Sequence, residues 1–385
     1  MALLMIPGPI EISDAVREAA AGPPPGHLAA DFMEAFGASL EKMRAVWCAS
    51  ADSQPFIVAG SGTMAMDMAV ANLLQPGEKA LVAASGYFSH RVAEMIRRRG
   101  VDVTIVDSEP GAAPDLEAVE RALAEVSPKA LFATHVDTST GVRVDAESLA
   151  RLAQAHGALS VFDGVCATAA ERFEMERWGA DVYLTASQKA IGLPAGLALM
   201  VASPRALAAR EALEIAPPMS MDFAEWIPIM RAYEARRPSY FSTPATTLVR
   251  ALPVGLDEIL ADGMEARFAL HARAGRAFRA AWSAMGLTLV PASEDVTANT
   301  LSALWYPDGV DASLVGAIKA RGVVVAGGLH PAIKAKYFRV GHMGAVLGQR
   351  DALHQTVRAV AEALTEKGHA ADADPAIGAF DDVFG

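Results

Sequence analysis

The first half of the chain alternates short apolar runs with segments whose apolar residues recur every three or four positions. Phe32, Phe36, Leu40, Met43 and Trp47 follow this helical period, which predicts a helix over 30–49. The pattern then predicts strands at 56–59, 79–83, 102–106 and 130–134, separated by helices at 64–74, 92–99, 116–125 and 147–156. Strands joined by helical crossovers indicate a mostly parallel, doubly wound α/β sheet.

The stretch Val161–Ser203 continues this alternation and carries the first candidate chemistry. It is predicted to contain a strand ending in Asp163, a second strand at 181–184, a polar turn with Lys189 and a third strand at 197–201. Open α/β sheets place ligands at such strand ends. An acid and a lysine there suit pyridoxal phosphate, because the lysine forms a Schiff base with the aldehyde and the acid pairs with the pyridine nitrogen.

Each of these two residues has a simpler interpretation when taken alone. A lysine in a polar loop is most often a solvated charge, and an aspartate at a strand end is often a turn former. Lys189, however, lies in a turn shaped by Gly192, Pro194 and Gly196 between two apolar strands. Such surroundings desolvate an amine and lower its pKa, as a Schiff-base lysine requires.

Beyond residue 203 the pattern predicts a second, smaller α/β unit. An irregular aromatic segment at 217–244 precedes helices at 246–260 and 264–285. Further predictions are strands at 287–290, 300–306, 323–326 and 337–340 and helices at 312–321 and 351–366. We expect an N-terminal arm (1–13) without regular structure, a large domain (14–250), a small C-terminal domain (251–368) and a poorly ordered tail (369–385).

Composition narrows the function classes. A chain of 385 residues with 52% hydrophobic residues has ample material for two domains. The net charge of -12 argues against a nucleic-acid or anionic-membrane surface. Cys48 and Cys166 give neither metal-binding spacing nor a disulfide framework and indicate a reducing compartment. With no run of transmembrane length and no signal-peptide pattern, we expect a soluble, cytoplasmic protein.

The glycine-rich turn Gly60–Thr63 follows a predicted strand and opens a helix. Its backbone N–H groups and hydroxyls are placed to hold a phosphate at the helix's positive end. Gly60, Gly62 and Ala65 also fit a dinucleotide fingerprint, with Glu78 at about the distance of a ribose-binding acid. That alternative leaves Lys189 and Asp163 without roles, so a single phosphate explains more. A helix cap without a ligand is the simplest alternative.

Three further segments carry candidate contacts, the first two of them just after predicted strands. Phe88 offers an aromatic face for a flat cofactor, although core packing is the commoner fate of a lone Phe. The segment 135–141 is dense in hydrogen-bonding groups and is also typical of a β-turn. Arg339 interrupts an apolar run and suits a carboxylate, or else a structural ion pair. We expect the histidines at 27, 135 and 342 to be structural.

Taken together, the motifs resemble those of the fold-type I, class V aminotransferases, and within them the alanine-glyoxylate enzymes. The resemblance runs from Pro7-Gly8-Pro9 to about residue 367. It rests on six further segments of the chain: GSGT (60–63), THVDTST (134–140), DGV (163–165), TASQKA (185–190), YFSTP (240–244) and FRVGHMG (338–344). It implies the PLP-dependent transferase fold type I, with a mostly parallel sheet of the seven-stranded type and a smaller α/β C-terminal domain.

The resemblance also implies residue roles. Lys189 would be the catalytic Schiff-base lysine and Asp163 the partner of the pyridinium nitrogen. The ring would lie between Val165 and Phe88, and Thr138 would bond its hydroxyl. The phosphate would be held by Ser61, Gly62, Thr63 and Gln188, with Tyr240 and Thr243 supplied by the neighbouring subunit of a homodimer. Arg339 would bind the substrate carboxylate, and the backbone of Gly8 would close over it.

Two positions depart from the pattern: Asp137 stands where relatives often carry Glu, and Leu28 where they often carry Arg. The implied reaction moves an amino group from L-alanine to glyoxylate by ping-pong chemistry. Alternatives on the same fold are serine-glyoxylate or serine-pyruvate, aminoethylphosphonate-pyruvate and pyridoxamine-pyruvate transamination. A cysteine desulfurase is disfavoured because neither cysteine lies in a late loop. From other classes, an NAD-dependent dehydrogenase and a non-catalytic binding protein remain open.

Overall fold

A central sheet and its flanking helices occupy the first part of the chain. The structure is a computed structural model that describes residues 2–385. The elements in order are β1 (Leu3–Leu4), α1 (Asp14–Ala21), α2 (Ala30–Val46), β2 (Gln54–Ala59), α3 (Gly62–Leu73), β3 (Lys79–Ala83), α4 (Tyr87–Arg98), β4 (Asp102–Val106), α5 (Leu116–Val126), β5 (Ala130–Thr134), β6 (Val136–Asp137), β7 (Val142–Arg143), α6 (Ala146–Ala155), β8 (Leu159–Asp163), α7 (Met175–Trp178), β9 (Val182–Ala186), β10 (Leu197–Ala202), α8 (Pro204–Glu211) and α9 (Phe223–Glu234).

Helix α10 (Thr246–Leu260) still packs on the core of the large sheet. The elements after it build a smaller unit: α11 (Gly263–Ala284), β11 (Leu301–Trp305), α12 (Ser313–Ala320), β12 (Val323–Val324), β13 (Ala326–Gly327), β14 (Tyr337–Gly341), α13 (Arg350–Glu366) and α14 (Ala373–Phe384). Among residues 2–385 no helix is both long and apolar enough to cross a membrane.

The main sheet has seven strands in the order β2-β10-β9-β8-β5-β3-β4. The pairs among β9, β8, β5, β3 and β4 are parallel, whereas β10 is antiparallel to both of its neighbours. Strands β5, β8 and β9 are buried along their whole length, as near-continuous apolar runs in a covered parallel sheet should be. The predicted α/β class with a mostly parallel sheet is therefore confirmed.

The carboxyl ends of β2, β8 and β9 lie at one edge of this sheet. Crossover helices return each chain segment to the opposite edge, so the turns after parallel strands gather together. The turn after β2, Asp163 at the end of β8 and the loop after β9 therefore share this edge.

The N-terminal arm is not free of regular structure, which corrects the sequence prediction. Leu3 and Leu4 form β1, which pairs in parallel with β12, and the side chain of Met5 is fully buried in the small core. The backbone N–H of Gly341 donates to the carbonyl of Met5 at 2.7 Å. Two residues are too few to show a period, so pairing with β12 was invisible in the sequence.

The C-terminal tail is a second correction. We expected residues 369–385 to be poorly ordered, but α14 covers 373–384 and packs along α11. Asp372 caps the helix by accepting from the N–H of Asp374 at 3.1 Å. Phe380 is fully buried against Phe278, so two aromatic residues outweigh the polar composition of the tail.

Three further predictions differ in detail. Helix α10 crosses residue 250, and its buried residues as far as Ile259 belong to the core of the large sheet, so that core extends past the predicted boundary. Residues 287–290 form only an isolated bridge, Leu289 to Leu304, rather than a strand. The segment 217–244, expected to be irregular, contains α9, whose buried aromatic residues pack on α2 and β2.

Candidate active site

Lys189 lies in the turn after β9, at the edge where the parallel strands end. Its side chain is only 8% exposed, and its amine donates to the carbonyl of Pro7. Burial lowers the pKa of this amine, because a charged ammonium is poorly solvated there. The amine is thereby shifted toward the neutral form that a nucleophile or base needs.

Gly8 makes this close approach of arm and lysine possible. Its φ is +119°, and a Cβ added to it would stand 2.5 Å from Cδ of Lys189. Any larger residue would clash with the lysine and strain the backbone. The arm, anchored by β1, therefore places its backbone directly over the lysine.

Asp163 is the last residue of β8 and is 5% exposed. Burial raises the pKa of its carboxyl to about 7, opposed by the N–H of Val165, which donates to Oδ1 at 2.9 Å. The nearby carboxylate of Asp137 raises it further, whereas Lys189 and Arg91 lower it. A cation placed against this carboxyl would restore its charged form.

The turn after β2 presents polar groups at the start of α3. Ser61 is the N-cap, but its hydroxyl makes no capping bond and is free to bind a ligand. Ser61 and Thr63 are exposed, while Gly62 is buried. A Cβ on Gly62 would lie 2.6 Å from Cγ2 of Val165, so glycine lets the turn pack against this residue, two positions after Asp163.

The dinucleotide alternative fails on the position of Glu78. This residue precedes β3, at the edge of the sheet opposite to the turn after β2. Its carboxylate accepts from the N–H of Gln75 at 2.9 Å, in a local turn. An acid that bonds a ribose must lie at the same edge as the glycine turn.

Helix α4 begins at Tyr87, five residues earlier than predicted. The carboxylate of Asp137 accepts from the N–H of Phe88 at 2.9 Å and from the N–H of Ser139 at 2.8 Å. This buried acid thus fixes the first turn of α4 to the turn after β6. Phe88 sits in that first helical turn and is half-buried rather than sealed in the core.

Arg339 lies in β14 and is 9% exposed. Its Nε donates to the carbonyl of Gly327 and its Nη1 to the carbonyl of Thr138, both at 2.9 Å. Among residues 2–385 it pairs with no carboxylate, and burial lowers its pKa. An arginine held in this way by two carbonyls keeps donors available for an incoming carboxylate.

Tyr240 and Thr243 stand apart from these groups. Tyr240 is 62% exposed, and its hydroxyl lies 3.5 Å from that of Thr243. Within residues 2–385 neither side chain hydrogen-bonds to the turn at 60–63. Gln188, by contrast, adjoins Lys189 and has a buried Oε1 without a hydrogen-bond partner among the described residues.

The sequence did not reveal the hydrogen bonds that hold the segments around Lys189 and Asp163. Arg267, on α11, donates to the carbonyls of Ala169 at 3.1 Å and of Ala190, the residue after Lys189, at 3.3 Å. Behind Asp163, the ring of His135 bonds the hydroxyl of Tyr183 at 2.9 Å. These contacts join distant segments, so spacing along the chain held no signal for them.

The histidines at 135 and 342 are buried and neutral. Burial lowers the pKa of each to about 3. His342 bonds the hydroxyl of Ser302 at 2.9 Å and stacks on Phe278. His27 packs near the ring of Tyr240, with ring centroids 5.4 Å apart. None of the three is hydrogen-bonded to Lys189 or Asp163 through its side chain within residues 2–385.

The groups at this edge of the sheet fit pyridoxal 5'-phosphate. They include a buried amine shifted toward neutrality and a buried carboxyl that forms no ion pair among residues 2–385. They also include an unbonded Gln188 Oε1 and a free Ser61 hydroxyl at a helix N-terminus. An aldehyde, a pyridinium nitrogen and a phosphate would satisfy the amine, the carboxyl and the helix end, respectively.

Comparison with known proteins agrees with this geometry. The family model "Aminotransferase class-V" matches residues 19–360. Alanine–glyoxylate aminotransferase 1 of Saccharomyces cerevisiae is 38% identical over 356 residues, covering 89% of this chain and 91% of that protein. L-aspartate–glyoxylate aminotransferase of Paracoccus denitrificans is 33% identical, covering 89% and 86%. The crystal structure of alanine–glyoxylate aminotransferase from Nostoc sp. superposes with a TM-score of 0.88 at 27% identity, covering 94% and 95%.

These matches span most of the chain, and the family model includes the predicted site segments from residue 60 to residue 344. They exclude the dehydrogenase alternative and establish the reaction class as transamination. The chain belongs to the class V aminotransferases, enzymes of the fold-type I group that depend on pyridoxal 5'-phosphate.

Proposed function

We propose that the protein transfers the amino group of L-alanine to glyoxylate, giving pyruvate and glycine. The observation that carries the proposal is Arg339, a buried guanidinium on the substrate side with no carboxylate partner among residues 2–385. One such cation suits substrates with one carboxylate, as alanine and glyoxylate are. The similarity to the yeast and Nostoc enzymes, which are named for this reaction, supports the same pair.

Lys189 and Asp163 have different roles in the proposed reaction. Bound pyridoxal phosphate would act as an electron sink, accepting the electrons left when the substrate's α-hydrogen is removed as a proton. Lys189 takes this proton and returns it, because burial lowers the pKa of its amine and the arm and turn hold it in place. The carboxyl of Asp163 would pair with the ring nitrogen of the cofactor, and the charged pair would keep that nitrogen protonated.

The carboxylate of the substrate is oriented by Arg339. Because its Nε and Nη1 are fixed to Gly327 and Thr138, the guanidinium plane cannot turn away. This positions the substrate's α-carbon relative to Lys189, and such positioning contributes strongly to rate. Val165 and Phe88 would hold the two faces of the ring, with Thr138 at its hydroxyl.

We also propose a homodimer in which each subunit completes the other's site. Four large apolar or aromatic residues are about half exposed or more: Leu28 at 50%, Ile215 at 49%, Met219 at 66% and Tyr240 at 62%. A second copy that covers Tyr240 and Thr243 would bring their hydroxyls to the phosphate at its own Ser61, Gly62, Thr63 and Gln188. The free thiols of Cys48 and Cys166 fit a cytoplasmic location.

A visible absorbance titration tests the substrate pair. The bound cofactor's yellow colour should bleach when L-alanine is added and return when glyoxylate follows, with pyruvate and glycine released. Matched titrations with L-aspartate and L-serine serve as controls. Bleaching by aspartate but not by alanine would contradict the proposal, because a second carboxylate requires a second cation.

L-serine is the second candidate donor. It carries a single carboxylate and a side chain only one hydroxyl larger than that of alanine, so Arg339 serves both. The ratio of kcat/KM for alanine and serine, measured with glyoxylate as acceptor, decides between them.

A further inference from the structure

The groups proposed to hold the cofactor's phosphate carry no formal positive charge. They are serine, threonine and tyrosine hydroxyls, a glutamine amide and backbone N–H groups: Ser61, Gly62, Thr63, Gln188, Tyr240 and Thr243. A phosphate monoester bears a charge of about -1.5 to -2 at neutral pH. The N-terminus of α3 offsets only about half a charge. A cation close to this turn would therefore complete the site.

Arg91 is a cation fixed against this turn. It lies on α4, and its Nη1 donates to the hydroxyl of Thr63 at 3.4 Å, while its Nη2 donates to the hydroxyl of Tyr87 at 2.7 Å. Its guanidinium carbon is 4.9 Å from the ring centre of Tyr87 and 5.4 Å from that of Phe88. Two rings and two hydroxyls thus hold the group in place.

Arg91 has no carboxylate partner, unlike other arginines of the same helix. Arg97 and Arg98 both pair with Glu94, at 3.9 and 3.0 Å. Within residues 2–385 no carboxylate lies within 4 Å of the Arg91 guanidinium. A half-buried guanidinium that pairs with no acid and stacks beside the predicted cofactor face keeps its charge for a ligand.

The contact with Thr63 also orients a donor. An arginine N–H can only donate, so the Thr63 hydroxyl accepts from it and its own hydrogen is directed elsewhere. Thr63 lies in the first turn of α3, where the free N–H groups point outward. The charge of Arg91 also lowers the pKa of Asp163, so its field extends into the pocket.

We propose that Arg91 is the cation of the phosphate site. It contributes its charge to the binding of a phosphate monoester and orients the Thr63 hydroxyl toward it. This inference rests on the proposed cofactor site and assigns it one residue more. Arg91 is a positioning and binding residue and takes no part in the proton transfers at Lys189.

The test compares ligands with and without phosphate, using cofactor-free protein. Dissociation constants for pyridoxal phosphate and for pyridoxal are measured by quenching of protein fluorescence in the wild type, R91Q, R91K and the control R98Q. We expect R91Q to bind pyridoxal phosphate about 10- to 100-fold more weakly and pyridoxal about as well as the wild type. R98Q should resemble the wild type with both ligands.

Inorganic phosphate gives a readout without the cofactor ring. It should raise the melting temperature of the wild type and R98Q but not that of R91Q. R91K keeps the charge yet lacks the fork that reaches both Thr63 and Tyr87, so we expect about tenfold weaker binding of pyridoxal phosphate. This variant carries the test if R91Q does not fold.

Three results would overturn the inference. Wild-type affinity for pyridoxal phosphate in R91Q, or in R91K if R91Q does not fold, would remove Arg91 from the site. Equal losses for pyridoxal and pyridoxal phosphate would show that it supports the ring face alone. A wild-type protein that binds neither ligand would refute the proposed cofactor site itself, and this failure is distinct from the other two.

Discussion

The candidate site has two regions that differ in burial: an interior formed by Lys189, Asp163 and Arg339, and a rim formed by Tyr240 and Thr243. Lys189, Asp163 and Arg339 are 8%, 5% and 9% exposed, and each is held by a hydrogen bond to the backbone. Tyr240 is 62% exposed, and within residues 2–385 its hydroxyl hydrogen-bonds only to that of Thr243. The three groups proposed to act on the substrate are therefore held within one chain, whereas we propose that a second copy completes the site at Tyr240 and Thr243.

The difference follows from the elements that carry each part. Asp163 ends a fully buried parallel strand, and Lys189 follows another, so the rigid sheet fixes both. Tyr240 and Thr243 lie in the irregular segment between α9 and α10. A loop without ladder hydrogen bonds depends on tertiary contacts for its position. The two regions should therefore respond differently to mutation.

The largest expected effect is in the interior. K189A should lower kcat by about 10⁴-fold or more, because no other described side chain near the site can both form a Schiff base and then transfer the substrate's proton. Steady-state turnover with alanine and glyoxylate measures it. K189R, which keeps the charge without the nucleophile, is the matched variant and should be equally inactive. Turnover within tenfold of the wild type in K189A would refute the role of Lys189.

The substrate clamp should give the next largest effect. R339K should lower kcat/KM for alanine by about 100-fold, mainly through KM, since lysine cannot hold a carboxylate with two donors. R279K is the control, because Arg279 is a partly buried arginine that likewise donates to a backbone carbonyl, that of Ala298 at 3.4 Å. Equal effects of the two substitutions would assign Arg339 a structural role only.

At the rim we expect a smaller change and a different parameter. The double variant Y240F/T243A should bind pyridoxal phosphate about tenfold more weakly while kcat at saturating cofactor stays near the wild-type value. Equilibrium dialysis followed by assays at rising cofactor concentrations separates the two. A fall in kcat that cofactor does not restore would place these residues in the chemistry.

The pKa of Asp163 predicts how stability depends on pH in the cofactor-free protein. Folding raises this pKa from about 3.9 in the unfolded chain to about 7. The resulting stabilisation is present below about pH 4 and is lost as the pH rises through 7, on the order of 2–4 kcal/mol. D163N removes this dependence, so its unfolding free energy relative to the wild type should increase from pH 5 to pH 8.

Urea unfolding at the two pH values measures this difference. The buried neutral histidines at 135 and 342 are common to both proteins, so their contribution cancels. D102N is the control, because Asp102 is exposed at the start of β4. If D163N and the wild type kept a constant difference between pH 5 and pH 8, the raised pKa would be wrong.

The sequence was sufficient to place Asp163 and Lys189 at strand ends, but not to find the long-range contacts around them. Buried parallel strands are local apolar runs, so the ends at Asp163 and the turn at Lys189 could be located from the pattern alone. The early start of α4 depends on the carboxylate of Asp137, and the pairing of β1 depends on β12. Such contacts join residues far apart in sequence and leave no local period.

The tail and Arg91 are two further features that depend on contacts between distant residues. Polar composition predicted disorder after residue 369, yet Phe380 packs against Phe278 in a core that exists only once the small domain has folded. Arg91 looks like one more surface charge of α4 until the fold brings Thr63 within 3.4 Å. Candidate site residues at strand ends can be predicted from the sequence, whereas the residues that the fold brings next to them cannot.

A mixed dimer tests most directly the claim that Tyr240 and Thr243 of one subunit complete the site around Lys189 of the other. K189A and Y240F/T243A subunits are unfolded together, refolded at equal amounts and assayed at limiting cofactor. Each mixed dimer would contain one site with wild-type Lys189 and a wild-type rim, so the mixture should regain about one quarter of wild-type activity, since half of the dimers are mixed. Activity no higher than the mean of the two parent proteins would contradict the account.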